Sequence, residues 1–232
     1  MPFLYFDWTY LVFAVPCLII SIICSANVQT TYAKYSQRMN SRGMTGAQAA
    51  EYVLRSNGVT GVRIEMVEGK LSDHFDPRTN VIRLSRDVYM NSSIASVGVA
   101  AHEAGHAVQH AVGYFPNKLR SAILPAANIG SSLGWIFVIV GLILPVQYSF
   151  VVTLGIIFYS AAVLFTIVTL PVEFNASARA LACIKNTNLL YGEEYNGAKR
   201  VLQAAAMTYV AATLTSVLQL VRLIVIANNR RR

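Results

Sequence analysis

The sequence predicts a mainly α-helical membrane protein with several membrane-spanning helices and one small α+β domain. Hydrophobic residues make up 55% of the 232 residues and charged residues only 13%, whereas a soluble domain has about 25% charged residues. The mean hydropathy is +0.48. Long apolar runs account for this composition, and the polar sequence between them suffices for one small domain.

The first three apolar runs predict three membrane spans. Residues 8–26 are about long enough to cross a bilayer, and we assign residues 1–29 to this first segment. Lys34 and Arg38 follow it closely, so the positive-inside rule predicts an external N-terminus and a cytoplasmic next segment. The runs 119–144 and 150–170 are joined by a short uncharged turn. They predict a transmembrane hairpin over residues 119–170.

Between the first and second runs, residues 30–118 predict a cytoplasmic α+β domain. Thr45 is expected to cap a helix that ends near Ser56. Residues 62–67 alternate like a strand, with Val62, Ile64 and Met66 on one face and Arg63 and Glu65 on the other. Residues 76–80 are turn-like, and residues 81–85 predict a second strand. Such a sheet could hold an extended peptide along a strand edge, or it could be a purely structural hairpin.

The C-terminal part is predicted to return to the cytoplasm and then to approach the membrane again. In residues 171–206 we expect two helices, the first beginning at Pro171 and the second covering residues 193–206. Residues 207–232 predict a fourth apolar helix with a basic tail, which Gln219 and Arg222 interrupt. This helix either crosses the membrane or packs inside the bundle. A crossing would send the basic tail outside, against the positive-inside rule.

A His-Glu-x-x-His motif lies just before the second apolar run. On a helix predicted over residues 93–112, His102 and His106 are four residues apart and share one face. Their imidazoles can then bind one zinc ion, while Glu103 is placed to take a proton from water. A chance match is the alternative reading. Three of the four histidines, His102, His106 and His110, fall in this stretch, which favours a metal site.

A catalytic zinc ion usually has a third protein ligand. His110 is a poor candidate, because it lies eight residues after His102 and hence ~12 Å along a helix axis. The metzincin pattern also fails, since Gln109 and Val112 replace the required Gly and His. The remaining candidates are carboxylates: Asp73, Asp76, Asp87, Glu173, Glu193 and Glu194. Glu173 is favoured because the predicted hairpin brings its segment back toward the motif, although it could also be an acidic residue that favours a helix dipole.

Three segments, residues 73–78, 102–110 and 173–177, resemble the bacterial YugP-type membrane zinc metallopeptidases, and the resemblance covers essentially the whole chain. More distantly, the chain is similar to the Ste24/HtpX gluzincins, in which a Glu after the second membrane pair is the third zinc ligand. Glu173 matches that Glu, while Ser177 stands where those relatives have Asp. The resemblance implies a zincin-like (gluzincin) catalytic domain, Zn²⁺ as cofactor, Glu103 as the catalytic residue, and His102, His106 and Glu173 as the metal ligands.

These observations together predict a multi-pass zinc endopeptidase of the bacterial cytoplasmic membrane. Its partners would be the lipid bilayer and protein or peptide substrates at the membrane. The net charge of +8 does not predict nucleic-acid binding, because basic residues flank the spans and no nucleic-acid motif is present. A non-catalytic scaffold or quality-control protein and an intramembrane zinc protease are the alternative functions. The sequence makes no prediction of oligomeric state.

Overall fold

A computed structural model describes residues 10–69 and 72–231. A short π-helical turn, Tyr10–Ala14, precedes the first α-helix. The helices are α1 (Val15–Ser36), α2 (Gly46–Ser56), α3 (Arg86–Met90), α4 (Ile94–Ala111), α5 (Phe115–Ile143), α6 (Phe150–Asn186) and α7 (Glu193–Arg231). The strands are β1 (Arg63–Val67), β2 (His74–Asp76) and β3 (Val81–Ser85). The fold is therefore mainly helical with a small sheet, as predicted.

Four helical segments among the described residues are long and apolar enough to cross a membrane: Leu11–Ser36, Phe115–Ile143, Val146–Asn186 and Glu193–Arg230. The first two residues of the predicted run 8–26 lie outside the described residues. The chain divides into two compact units. The apolar unit holds the described residues up to Cys24, Lys118–Leu170 and the described residues from Thr208, and the motif unit holds Ser25–Asn117 and Pro171–Met207.

In the apolar unit, α5 and α6 form the predicted hairpin, joined by a short 3₁₀ turn, Val146–Tyr148. Gly134 lies so close to α6 that an added Cβ would be 3.0 Å from Tyr159. Trp135 and Tyr159 pack edge to face with ring centroids 5.9 Å apart. At the other end of the sequence, Arg230 donates to the carbonyl groups of Gly141 and Leu144 at the C-terminal end of α5. The end of α7 thus lies beside the turn of the hairpin.

In the motif unit, α2 begins where the sequence predicts. The Thr45 side chain accepts from the Gln48 N–H at 3.3 Å, and the Gln48 side chain accepts from the Thr45 N–H at 2.9 Å. Together these bonds form a capping box. Asn57 is the C-cap, and Gly58 follows with φ of +68°. The helix ends there because glycine adopts this left-handed conformation without steric cost.

The sheet has the order β1-β3-β2. β1 pairs with β3 in parallel and β2 pairs with β3 antiparallel. One prediction here is wrong: Asp76, assigned to a turn, is the last residue of β2. Met66, on the apolar side of the predicted alternation, is 48% exposed. A three-residue strand is too short to show an alternating pattern, and β1 is an edge strand whose faces are only partly covered. The central strand β3 carries the buried residues Val81, Ile82 and Leu84.

Two predicted helix boundaries are also wrong. α6 continues through Pro171, and α7 continues from its polar start into the fourth apolar run. A proline removes one helical hydrogen bond but does not have to end a helix when the turns on both sides hold. Glu173 therefore lies inside α6 rather than at a helix N-terminus, so the helix-dipole alternative for this residue does not apply. Arg222, which interrupts the apolar run, is buried and has a partner.

Candidate metal centre

The motif lies on α4, which is buried along nearly its whole length. Ser93 caps the helix by accepting from the Ser96 N–H at 3.0 Å. Among residues 94–109, the positions that are not buried are Val99, His102 and His106. Because these three positions follow the helical repeat, they form one accessible stripe. We refer to them as the accessible stripe of α4.

Helices α4 and α6 bring together the three predicted ligands. The Nε2 atoms of His102 and His106 are 3.1 Å apart. The Oε2 atom of Glu173 lies 3.3 Å from the His102 Nε2 and 3.5 Å from the His106 Nε2. Among the described residues, this is the group of His, Cys, Asp and Glu side chains that could hold a metal ion, with all three ligand atoms within 4.8 Å of one another.

The spacing of these atoms fits zinc. Ligands at about 2.0–2.1 Å from a tetrahedral ion are separated from one another by about 3.3 Å, which is close to the three observed separations. The Glu173 side chain is only 3% exposed, and its Oε2 has no hydrogen-bond partner. A buried carboxylate oxygen without a partner is costly, and a cation between it and the two imidazoles would satisfy it. His102, His106 and Glu173 are therefore positioned to hold a metal ion.

The second nitrogen of each imidazole also has a partner. The Ser177 hydroxyl lies 3.1 Å from the His102 Nδ1, and the Gln109 Oε1 lies 3.1 Å from the His106 Nδ1. If each Nδ1–H donates to its oxygen, each Nε2 keeps its lone pair for a metal ion. The Gln109 Oε1 can only accept, so this contact favours Nδ1–H on His106, and the Ser177 hydroxyl is able to accept from His102 in the same way.

Gln109 belongs to a buried network that ties α4 to α6. Its side chain is fully buried, and its Nε2 donates to the Val172 carbonyl at 2.8 Å and to the Asn175 Oδ1 at 3.0 Å. The Asn175 Oδ1 also accepts from the Arg179 Nε at 2.8 Å. The network holds the side chain that orients His106. The sequence analysis did not predict this role of Gln109. The feature that could have revealed it is a polar residue three positions after a ligand, on a helix that is otherwise apolar.

Gly105 sets the distance between α4 and α6. A Cβ added at this position would lie 2.6 Å from the Ala176 carbonyl oxygen, closer than any real side chain allows. Ala176 lies between Glu173 and Ser177 on α6. The absence of a side chain at Gly105 therefore lets the α6 residues reach the histidines.

Glu103 is next to His102 but is not part of the ligand set. Its side chain is 8% exposed. Among the other acidic candidates, Asp73 has a raised pKa, mainly because it is buried; hydrogen bonds from Ser85 oppose this shift, and the charge of Glu103 adds to it. Asp73 accepts from the Ser85 N–H at 2.7 Å. Asp73 is thus bound by Ser85 and is not part of the ligand group.

The other candidate ligands lie elsewhere. His110 is exposed and packs against Phe75, with ring centroids 5.8 Å apart. The Asp76 carboxylate accepts from the Thr79 hydroxyl at 2.8 Å, and Glu194 accepts from the Ser41 N–H at 2.8 Å. Asp87 and Glu193 do not join the ligand group either.

Comparison with known proteins agrees with this site. A family model described as "Putative neutral zinc metallopeptidase" matches residues 10–228. The chain belongs to this zinc metallopeptidase family. It is 41% identical over 222 residues to a protein of Bacillus subtilis (strain 168) named "Putative membrane protease YugP", covering 96% of this chain and 98% of the relative. No solved structure matches the chain significantly. Zinc is the metal of the family, and the relative's name together with the four apolar helices identifies a YugP-type membrane protein.

Proposed function

We propose that this protein is a membrane-embedded zinc endopeptidase of the gluzincin type, which cleaves membrane-associated proteins near the cytoplasmic surface. The observation that carries the proposal is the convergence of His102, His106 and Glu173 at tetrahedral spacing, with Glu103 beside them. Nothing structural requires this set of charged and polar groups on an otherwise apolar helix. The family membership supports a peptidase in general terms.

In this mechanism the ligands hold the ion through Nε2 of each histidine and through the carboxylate of Glu173. When bound, zinc polarises the scissile carbonyl and makes water more acidic. Glu103 then acts as the general base that takes a proton from the attacking water. It later gives this proton to the leaving amine nitrogen. Ser177 and Gln109 keep the imidazoles in the orientation that the ligands require.

The sheet can position the substrate main chain. β2 is an edge of the described sheet and lies beside α4, where Phe75 contacts His110. An extended peptide could pair with such an edge through main-chain hydrogen bonds. This arrangement would align a peptide along the helix that carries the motif.

Sequence position supports a site near the membrane. Glu173 follows the third apolar run, which ends at Leu170, and the motif shortly precedes the second run. We infer that the motif unit faces the cytoplasm and that α7 crosses the membrane. Arg230 at the C-terminal carbonyl groups of α5 supports a crossing that overrides the weak signal of the basic tail.

Reporter fusions test this topology. Fusions at Arg55 and at Lys185 are expected to report the same, cytoplasmic side, because Lys and Arg residues flank the spans in these segments. An external signal at both positions would refute the assignment and move the substrates to the other side of the membrane. Different sides at the two positions would refute a single catalytic unit.

An intramembrane protease would need the motif at the depth of the lipid chains, whereas Ser92 and Ser93 directly precede the motif helix and Ser96 lies in its first turn. The accessibility of cysteines introduced near His106 distinguishes an intramembrane protease from an enzyme whose site lies at the membrane surface.

A non-catalytic scaffold is distinguished from an enzyme by its lack of peptide hydrolysis. For that test, Glu103→Gln is expected to keep its zinc, since Glu103 is not a ligand, and to lose roughly 10²–10⁴-fold in peptide hydrolysis. A variant that cleaves an unfolded membrane protein as fast as the wild type would exclude the proposed mechanism.

A further inference from the structure

A cavity of about 480 Å³ lies within the motif unit, next to the accessible stripe of α4. Aliphatic side chains from three helices form most of its wall: Val28, Ala33, Val99, Val201 and Ala205. The polar residues of its wall are Gln29, Tyr32, Ser36, Ser85 and the exposed Asp87. Its chemistry is therefore mainly apolar.

Val99 connects this cavity to the metal centre. It lies three residues before His102 and four residues before Glu103, so it is one helical turn away on the same face. Val99, His102 and His106 are also the positions of α4 between residues 94 and 109 that are not buried. Val99 thus belongs both to the wall of the cavity and to the stripe that carries the two histidines.

Ser85 of β3 forms a second part of the cavity wall close to the motif helix. The Ser85 hydroxyl, which lines the cavity, donates to the Asp73 carboxylate at 3.0 Å. Ser85 is the last residue of β3, and β3 contacts α4. A second wall of the cavity therefore also belongs to an element that packs against the motif helix.

We propose that this cavity binds one bulky apolar side chain of the substrate, at a fixed position beside the bond that is cut. The inference rests on the proposed peptidase function and adds a substrate class to it. A leucine or phenylalanine side chain would bury its surface against Val28, Val99 and Val201, whereas alanine or aspartate would leave the cavity unfilled or unpaired. Filling an apolar pocket is worth roughly 10–200-fold in discrimination.

A second apolar cavity also borders the metal centre, so a variant of each cavity is needed to decide which one takes the side chain. It has a volume of about 520 Å³, and its wall includes Ser177, whose hydroxyl contacts His102. The other residues of its wall are Phe174, Ala178, Leu181, Leu202, Gln203, Ala206 and Met207. Ala33 in the first cavity and Ala178 in the second are both exposed alanines on helices. Ala33→Phe therefore narrows the proposed binding cavity, and Ala178→Phe makes the same change in the other cavity.

The experiment uses the full-length, zinc-loaded protein in detergent and a peptide library whose cleavage products are identified by mass spectrometry. The wild type is expected to prefer Leu or Phe over Ala by about 10-fold or more at one position beside the cleaved bond. In Ala33→Phe and Ala205→Phe this preference should fall toward 1, while zinc content stays unchanged. Ala178→Phe should keep the wild-type preference.

Binding is measured in parallel, without turnover. A peptide hydroxamate with a Leu side chain is expected to bind the wild type more tightly than its Gly counterpart, and to lose this advantage in Ala205→Phe. An unchanged preference in both cavity variants would overturn the proposal, as would a preference for Lys or Arg that Asp87→Asn removes. Leu-dependent binding without any cleavage would instead refute the peptidase function and leave the cavity assignment standing.

Discussion

The two helices that build the metal centre contribute to it in different ways. On α4, His102 and His106 meet because of the helical repeat alone, and the contact between Gln109 and His106 spans three residues. On α6, Ser177 contacts His102 across 75 residues of sequence, and Glu173 reaches both histidines from the same helix. One half of the centre is thus set locally, and the other half depends on how closely α6 packs against Gly105.

The largest effect is expected from removing the long-range ligand. Glu173→Ala should abolish most zinc binding, since two imidazoles from one helix make an incomplete site. His110→Ala is the control, because His110 is exposed and lies outside the ligand group, and it should keep most of its zinc. Metal analysis of the purified proteins measures both. A full zinc complement in Glu173→Ala would refute the ligand assignment and the argument for a site at the membrane face.

A second test acts on the packing between the two halves. Gly105→Ala places a Cβ against the Ala176 carbonyl oxygen and should lower the free energy of unfolding by about 1–3 kcal/mol. Zinc affinity should fall with it, because α6 must move away. On the same helix, a Cβ at Gly98 would lie 3.4 Å from Ala198, an ordinary contact. Gly98→Ala should therefore be tolerated, and equal thermal unfolding of the two variants would contradict the role of Gly105.

The smallest effects are expected from the groups that orient the imidazoles. Gln109→Leu removes the partner of the His106 Nδ1 and should lower zinc affinity about 10–100-fold. Ser177→Ala should have a weaker effect on His102, and Ser177→Thr, which keeps a hydroxyl group, should restore the affinity. Competition with a zinc chelator measures all three variants. Unchanged zinc affinity in Gln109→Leu would show that its buried network serves only to join the helices.

The sequence by itself determined the features that depend on local pattern. Apolar runs identified the membrane class and the α5–α6 hairpin, Thr45 as a cap residue predicted the start of α2, and the spacing of His102 and His106 gave half of the metal centre. These features follow from the lengths, caps and periodicity of single elements. The ends of the helices and strands were harder to predict from the sequence. β2 was too short to be recognised, and the helix α6 continued through Pro171, where a helix start had been predicted.

Tertiary structure decided which distant groups complete the site. Several carboxylates were possible third ligands in the sequence, and both the predicted hairpin and the resemblance to known metallopeptidases favoured Glu173. The contacts of Ser177 and Gln109 and the cavity beside Val99 were not predicted at all. Each depends on where α6, α1 and α7 pack against α4, and that packing depends on many close contacts such as the one between Gly105 and the Ala176 backbone. Such contacts join residues far apart in sequence and therefore leave no periodic signal in it.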